Sequence, residues 1–287
     1  MAQTDGTGFH IVIERRFDAS PETVFAQWLD AEALKDWFSP EGFTGMKAEA
    51  DAQPGGTWRV VYRSPDGVDI AETGTYTVID RPTRLELTLT QDLPGGVRDT
   101  RIVVTFAPDG DGTVMRFSQA GLVSAAQRDG MADGWGTCFD RLRNRLGEAE
   151  LRAEFETWFA ASERKDLDAS MERIAEDVIS YEHSAPLEVR NIAGVRAECA
   201  RGFRLAGPEF RWDVPDHAII VRGDIAVAWG LNRMATRENG TVVNEMWSRG
   251  TRVFQRRDGR WLMIHQHVSF PFDPETGSAR LDLTPGG

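Results

Sequence analysis

The sequence predicts two α+β domains, each built mainly on antiparallel strands. Three observations carry this. Strand-type alternation recurs in runs punctuated by Pro-Gly, Asp-Gly and Asn-Gly turn signals. Helical spacing is confined to a few segments, placed mainly near the start of each half and in the middle of the chain. Finally, 287 residues with 41% hydrophobic and 27% charged content suit two globular cores, at roughly 150 residues per domain.

In the first half, residues 9–17 alternate as a strand, and Ser20 and Pro21 supply a cap and a first helical position for a helix through Val24, Phe25, Trp28 and Leu29. A short helix over Ala31–Trp37 stops before Pro40 and Gly42. Strands follow at about 43–51, 57–63, 69–79, 84–91, 97–107 and 113–119, then a helix over 125–146 that carries Gly130, Gly134 and Gly136. In the second half, Leu151, Phe155, Trp158, Phe159 and Ser162 mark one helical face, and Leu167, Met171 and Ile174 mark another. Residues 178–183 read as a short strand and Ile192–Phe203 as a helix. Four long strands, 209–222, 225–236, 242–255 and 260–270, close the chain, with Asn239-Gly240 and Asp258-Gly259 as tight turns. The boundary is expected at Gly147, giving domains 1–147 and 148–287, the second with a core to about 271 and then a tail.

The chain has 33 basic and 45 acidic residues, a formal net charge of −12. Residues 1–147 hold 15 basic and 22 acidic residues, net −7; the remainder hold 18 and 23, net −5. Neither half offers the clustered basic face that nucleic acid requires, and anionic membranes repel an acidic chain, so no nucleic acid and no membrane is the expectation. Cys138 and Cys199 lie outside any metal-type spacing and read as buried free thiols of a reducing compartment. Met1–Gly8 is polar and lacks a leader core, and no run approaches the ~18 apolar residues of a membrane helix, which points to the cytoplasm.

Residues 17–25 (FDASPETVF), 37–42 (WFSPEG), Asp51 with 54–58 (PGGTW), 74–76 (GTY), 82–85 (PTRL), Gly134-Trp135 and 140–142 (DRL) stand in family order. Over about residues 9–146 the chain therefore resembles the SRPBCC (START-like) superfamily, and within it the activator of heat-shock-protein ATPase homologue-like group. That resemblance implies a helix-grip fold, a bent sheet around a long helix over an apolar cavity, and binding of lipid-like or aromatic molecules. The segments 177–182 (DVISYE), 185–187 (APL), Gly194, 247–254 (WSRGTRVF), 259–261 (GRW) and 265–269 (HQHVS) resemble the SnoaL-like and ketosteroid-isomerase-like branch of the nuclear-transport-factor-like superfamily. This covers about residues 148–271 and implies a cone-shaped α+β barrel enclosing a deep pocket. The fold hosts isomerases, cyclases, dehydratases and pockets without chemistry, so it does not choose among them.

The second resemblance places Glu182 where ketosteroid isomerase keeps its catalytic carboxylate, as a candidate general base beside an apolar cavity. His265 and His267, two apart on a strand, share one face with Trp261, Met263 and Ser269 by alternation, and would polarise a carbonyl or shuttle a proton if that face is concave. Arg249 and Arg252 fall on opposite faces. The Trp-x-Arg-x-Thr match favours Arg249 as the inward cation that stabilises an anion. The candidate ligand-lining set is Trp158, Tyr181, Trp212, Trp229, Asn232 and Trp247 in the second domain and Trp58, Tyr76 and Trp135 in the first. No metal and no cofactor is expected. The functional expectation is binding of small apolar or aromatic molecules in two pockets, with cofactor-independent proton transfer in the second domain. A carrier or sensor without chemistry, and a module dimerising through the outer sheet face of the second domain at Val253, Ile264 and Val268, stand beside it.

Overall fold

The strand runs of the first half assemble into one antiparallel sheet of seven strands. The computed structural model describes residues 8–92, 94–207 and 209–286, so all of the Met1–Gly8 stretch except Gly8 lies outside the described residues. The chain divides into two units, one ending at Gly147 and the other starting at Glu148.

In the first unit, β1 (Phe9–Phe17) leads into α1 (Pro21–Ala26), where the Ser20 side chain accepts a hydrogen bond from Thr23 N and Pro21 sits in the first turn. Asp30 caps α2 (Ala31–Trp37) in the same way, accepting from Ala33 N. The strands β2 (Thr44–Ala50), β3 (Thr57–Arg63), β4 (Asp69–Asp80), β5 (Arg84–Asp92), β6 (Thr100–Asp109) and β7 (Gly112–Leu122) then run in the order β1-β7-β6-β5-β4-β3-β2. The long helix α3 (Ala125–Glu163) follows. Its first half packs Trp135, Cys138, Phe139, Leu142 and Leu146 into the core. There they meet Trp28, Trp37, Phe38 and Phe117 in a mesh of rings, such as Phe117–Trp135 at 4.6 Å and Trp28–Trp37 at 4.8 Å between centroids.

Two helices were expected around Gly147, but α3 runs through it without a break. The junction 146–150 (LGEAE) has no proline and no capping residue. One interior glycine costs about 1 kcal/mol, which is less than exposing two sets of unpaired helix ends.

In the second unit, α4 (Leu167–Met171) is capped by Asp166 and ends early, so that Ile174 begins a strand instead of continuing the helical stripe. The elements are β8 (Ile174–Tyr181), β9 (Val189–Arg190), α5 (Ile192–Leu205), β10 (Glu209–Asp213), β11 (Ala218–Arg222), β12 (Ile225–Glu238), β13 (Thr241–Arg257) and β14 (Arg260–Ser269). The sheet order is β10-β12-β13-β14-β8-β9, with β11 also pairing with β12 and β8 parallel to β14. The expected strand 209–222 is split at 214–217 (VPDH), because Pro215 lacks the N–H a ladder needs. The hairpin turns have positive φ at Asn239, Gly240, Asp258 and Gly259, as tight two-residue turns demand. The core gathers Leu151, Phe155 and Phe159 of α3, Val195 of α5, and Val178, Phe254, Trp261 and Met263 of the sheet. No helix of the described residues is long and apolar enough to cross a membrane.

Candidate ligand-binding sites

Strand alternation sorts the sheet of the second unit into a face turned to its core and a face turned away. On β12 and β13 the even-numbered positions, with Ala226, Ala228 and Phe254, face the core. The same parity turns Asn232, Ser248 and Arg252 inward, at 1%, 1% and 4% exposure. On β8, Val178 and Ser180 are buried, and the next inward position is Glu182.

A β-bulge decides the parity of β14. The register with β13 shifts between Val253 and Phe254, leaving Ile264 as the extra residue between Met263 and His265. Trp261 and Met263 before the bulge and Gln266 and Val268 after it face inward. His265 and His267 therefore sit on the outer face, contrary to the simple alternation from Trp261. They flank the half-exposed Tyr181, with ring centroids 5.0 and 5.8 Å away, and His265 Nδ1 is 2.8 Å from the Ile179 carbonyl oxygen. Arg249 also faces outward, exposed, with Nη2 donating to Phe270 O at 3.4 Å. The inward cation is Arg252. Val268, expected on the outer face, is buried.

The inner face thus brings together Ser180, Gln266 and Arg252 along one row of paired strands, with Glu182, Gly250, Asn232 and Ser248 beside them. Glu182 Oε1 accepts from Ser180 Oγ at 2.5 Å and from Gln266 Nε2 at 2.9 Å. His183 Nε2 lies 2.8 Å from Ser248 Oγ, and Asn232 Nδ2 donates to the same hydroxyl at 3.0 Å. The His183 residue keeps open surface, but this ring nitrogen reaches a hydroxyl that is fully buried. Burial, and then the charge of Arg252, push its pKa down to about 4, so the ring is neutral at pH 7.

Arg252 is the exceptional member. Its guanidinium lies against Trp158 and Trp212, 5.7 and 5.2 Å from their ring centroids, and the two rings meet edge to face at 5.1 Å. Nη2 donates to Asn232 Oδ1 at 2.8 Å, while Nε has no partner. Among the described residues no carboxylate pairs with it. Burial pushes its pKa down to about 10, opposed by the more distant Glu182, so the group stays charged at pH 7.

The remaining second-unit candidates divide between the faces. Trp158, Trp212 and Asn232 join the Arg252 set. Tyr181 and Trp229 are about two-fifths exposed on the outer face, at 39% and 41%. Trp247 is also off the inner face, donating through Nε1 to Glu245 at 2.8 Å. Ser180, Ser248, Gln266, His183 and Arg252 were not singled out from sequence as lining residues. The parity of Asn232 and the inward match at Glu182 were the signals that could have found most of them.

In the first unit, Phe38, Pro40, Tyr62, Glu72, Gln91, Gly130, Met131, Gly134, Trp135 and Cys138 line a cavity of about 80 Å³. Of the three expected aromatics only Trp135 borders it, with Nε1 donating to Gln119 Oε1 at 2.8 Å. Trp58 packs against Phe38, and Tyr76 donates to Trp28 O at 2.8 Å, both inside the core. Glu72 was missed, although Ile70-x-Glu72-x-Gly74-x-Tyr76 shows an acid on the inward parity of β4. It is 5% exposed and accepts from Tyr62 Oη at 2.7 Å and Gln91 Nε2 at 2.6 Å. Burial pushes its pKa up and also raises those of Tyr62 and Cys138. Both cysteines are free thiols; Cys138 is buried, and Cys199 is half-buried with its pKa pushed up to about 11 by burial.

The family described as activator of Hsp90 ATPase homolog 1-like protein matches residues 18–147, and the SnoaL-like domain family matches residues 151–273. Among similar solved structures is an NTF2-like protein of unknown function from Pseudomonas putida KT2440. It is 26% identical, covers 49% of this chain and 98% of its own, and has a TM-score of 0.46. An AHSA1 protein from Silicibacter pomeroyi is 21% identical, covering 50% of this chain and 99% of its own, with a TM-score of 0.44. A protein from Chromobacterium violaceum is 29% identical, covering 47% and 94%, with a TM-score of 0.44. No curated protein matches this chain.

Proposed function

We propose that this chain, which joins an AHSA1-like domain to a SnoaL-like domain, binds a small molecule in each. In the SnoaL-like domain the ligand is an apolar or aromatic molecule bearing a carboxylate. Both domains fit small-molecule binding. The observation that carries the finer reading is Arg252: a charged guanidinium, 4% exposed, with a free Nε and no acidic partner among the described residues. A buried cation without a counter-charge is costly, and a ligand carboxylate accepting from Nε–H would relieve that cost. Trp158 and Trp212, packed edge to face, would form one aromatic wall beside the apolar body, and the Ser248 hydroxyl and Asn232 amide add polar contacts.

The test is titration of the whole protein with benzoate and 1-naphthoate, followed by tryptophan fluorescence, with benzamide and 1-naphthamide as neutral matches. The acids should bind at least tenfold tighter than the amides, and R252Q should abolish that preference. Equal binding of acids and amides, or an unchanged preference in R252Q, would overturn the reading.

The placement of Glu182 favours a second reading at the same site, isomerase-type proton transfer. One carboxyl oxygen is held by Ser180 and Gln266, leaving the other free to take a proton next to a ligand carbonyl, with Arg252 stabilising the enolate. His265, His267 and Arg249 take no part, since they face the other side. The outer face itself supports a homodimer, because Ile220, Trp229 and Leu231 are exposed there at 47%, 41% and 41%. Sedimentation equilibrium should give twice the chain mass, and W229E should return the monomer; a monomeric wild type would remove the dimer.

A further inference from the structure

Glu72 is a buried acid of which the fold of the first unit engages one oxygen, and it lies outside the Arg252 site. It lines the cavity at 5% exposure, and no lysine or arginine pairs with it among the described residues. Both of its hydrogen bonds end on Oε1. Oε2 accepts nothing from the protein among the described residues, although a carboxyl group this deep is costly without a partner.

The rest of the wall narrows the choice of ligand. Phe38, Trp135, Met131 and Cys138 give it an apolar, aromatic lining that suits an alkyl chain, and among the described residues no basic side chain lines it to attract an anion. The first 147 residues carry 15 basic against 22 acidic groups, so the field of the unit draws in cations as well. At about 80 Å³ the cavity is about half the ~150 Å³ that admits benzene, so it takes in about three heavy atoms, and the rest of a short chain extends through its open mouth.

The geometry points to this cavity as a binding site for a small aliphatic amine, held as its ammonium with an N–H donated to Glu72 Oε2 and its alkyl chain against Phe38 and Trp135. An ammonium entering beside ionised Glu72 forms the ion pair directly, and a neutral amine entering beside the protonated acid takes its proton to form the same pair without net change in charge. The inference rests on the reading that this unit holds a small molecule and names the class of that molecule. It is independent of the Arg252 site.

The experiment is calorimetric titration of the full chain with n-butylamine and isobutylamine hydrochlorides, beside 1-butanol and isobutanol as neutral matches of the same shape. The amines should bind at least tenfold tighter than the alcohols. E72Q keeps the volume and the bonds from Tyr62 and Gln91, and should lose at least tenfold in amine affinity while alcohol affinity stays within twofold. Alcohols that bind as well as amines would leave the cavity reading standing and overturn the amine. Absence of binding by either class would overturn both. Should E72Q fail to fold, infrared difference spectra of the wild type decide: saturating butylamine should perturb the carboxyl bands of a buried glutamate, and an unchanged spectrum would overturn the proposal.

Discussion

Replacing Arg252 with methionine should stabilise the second unit. The fall of its pKa from the ordinary arginine value to about 10 corresponds to roughly 3 kcal/mol of net penalty on the charged form in the folded protein. Methionine is unbranched, can pack its thioether against Trp158 and Trp212, and carries no charge to desolvate. The substitution removes one donor from Asn232 Oδ1, a loss of about 1 kcal/mol, while the bond from Asn232 Nδ2 to Ser248 remains. The balance is a gain of about 2 kcal/mol, or about 6 °C in the transition of this unit. Scanning calorimetry of the full chain, with hydrogen exchange of β12 and β13 amides to assign the transition, measures it. The same variant should lose carboxylate binding, so that stability and recognition move in opposite directions. A loss of 2 kcal/mol or more in R252M would refute the reasoning, because it would mean that the guanidinium is a satisfied structural strut.

The other predictions follow from neighbouring groups. Gly250 sits on the inner face, where an added Cβ would lie 2.7 Å from Asn232 Nδ2 and 3.0 Å from Arg252 Nη1; G250A should weaken benzoate binding at least tenfold by titration, and an unchanged affinity would place the ligand elsewhere. His183 takes its proton near 6.5 when unfolded but only near pH 4 when folded, so its contribution to stability is whole above pH 6.5 and declines as the pH falls from 6.5 toward 4. The melting temperature should follow that slope, and H183N should flatten it; parallel profiles would contradict the assignment. E182Q should abolish any enolisation detected as deuterium exchange into a bound ketone while keeping carboxylate affinity within threefold; exchange at the wild-type rate would remove Glu182 as the base.

Much of the fold was readable because local signals agreed. The Ser20-Pro21 cap fixes where the first helix starts, although that helix ends at Ala26 instead of reaching Leu29, and the Asn239-Gly240 and Asp258-Gly259 turns and the alternation of β3 place their elements within a residue or two. Where signals were silent the reading failed. Nothing marks Gly147 as the interior of one helix, and only Pro215 hints that the strand 209–222 is two. The site was less legible, because it depends on which face of each strand is inward. One extra residue, Ile264, turned His265 and His267 outward and brought in Gln266. The family match at Arg249 likewise pointed to the wrong member of an alternating pair, whereas the parity of Asn232 and Phe254 selects Arg252.

The unpaired Nε–H of Arg252 is the group that a ligand anion would engage first. The direct measurement is the side-chain Nε–H resonance of this residue in arginine-labelled protein, assigned by its loss in R252Q and followed while benzoate is added. The account predicts that this signal shifts markedly and exchanges more slowly with water as the carboxylate binds, and that benzamide leaves it in place. A resonance that does not move at saturating benzoate would contradict the central claim.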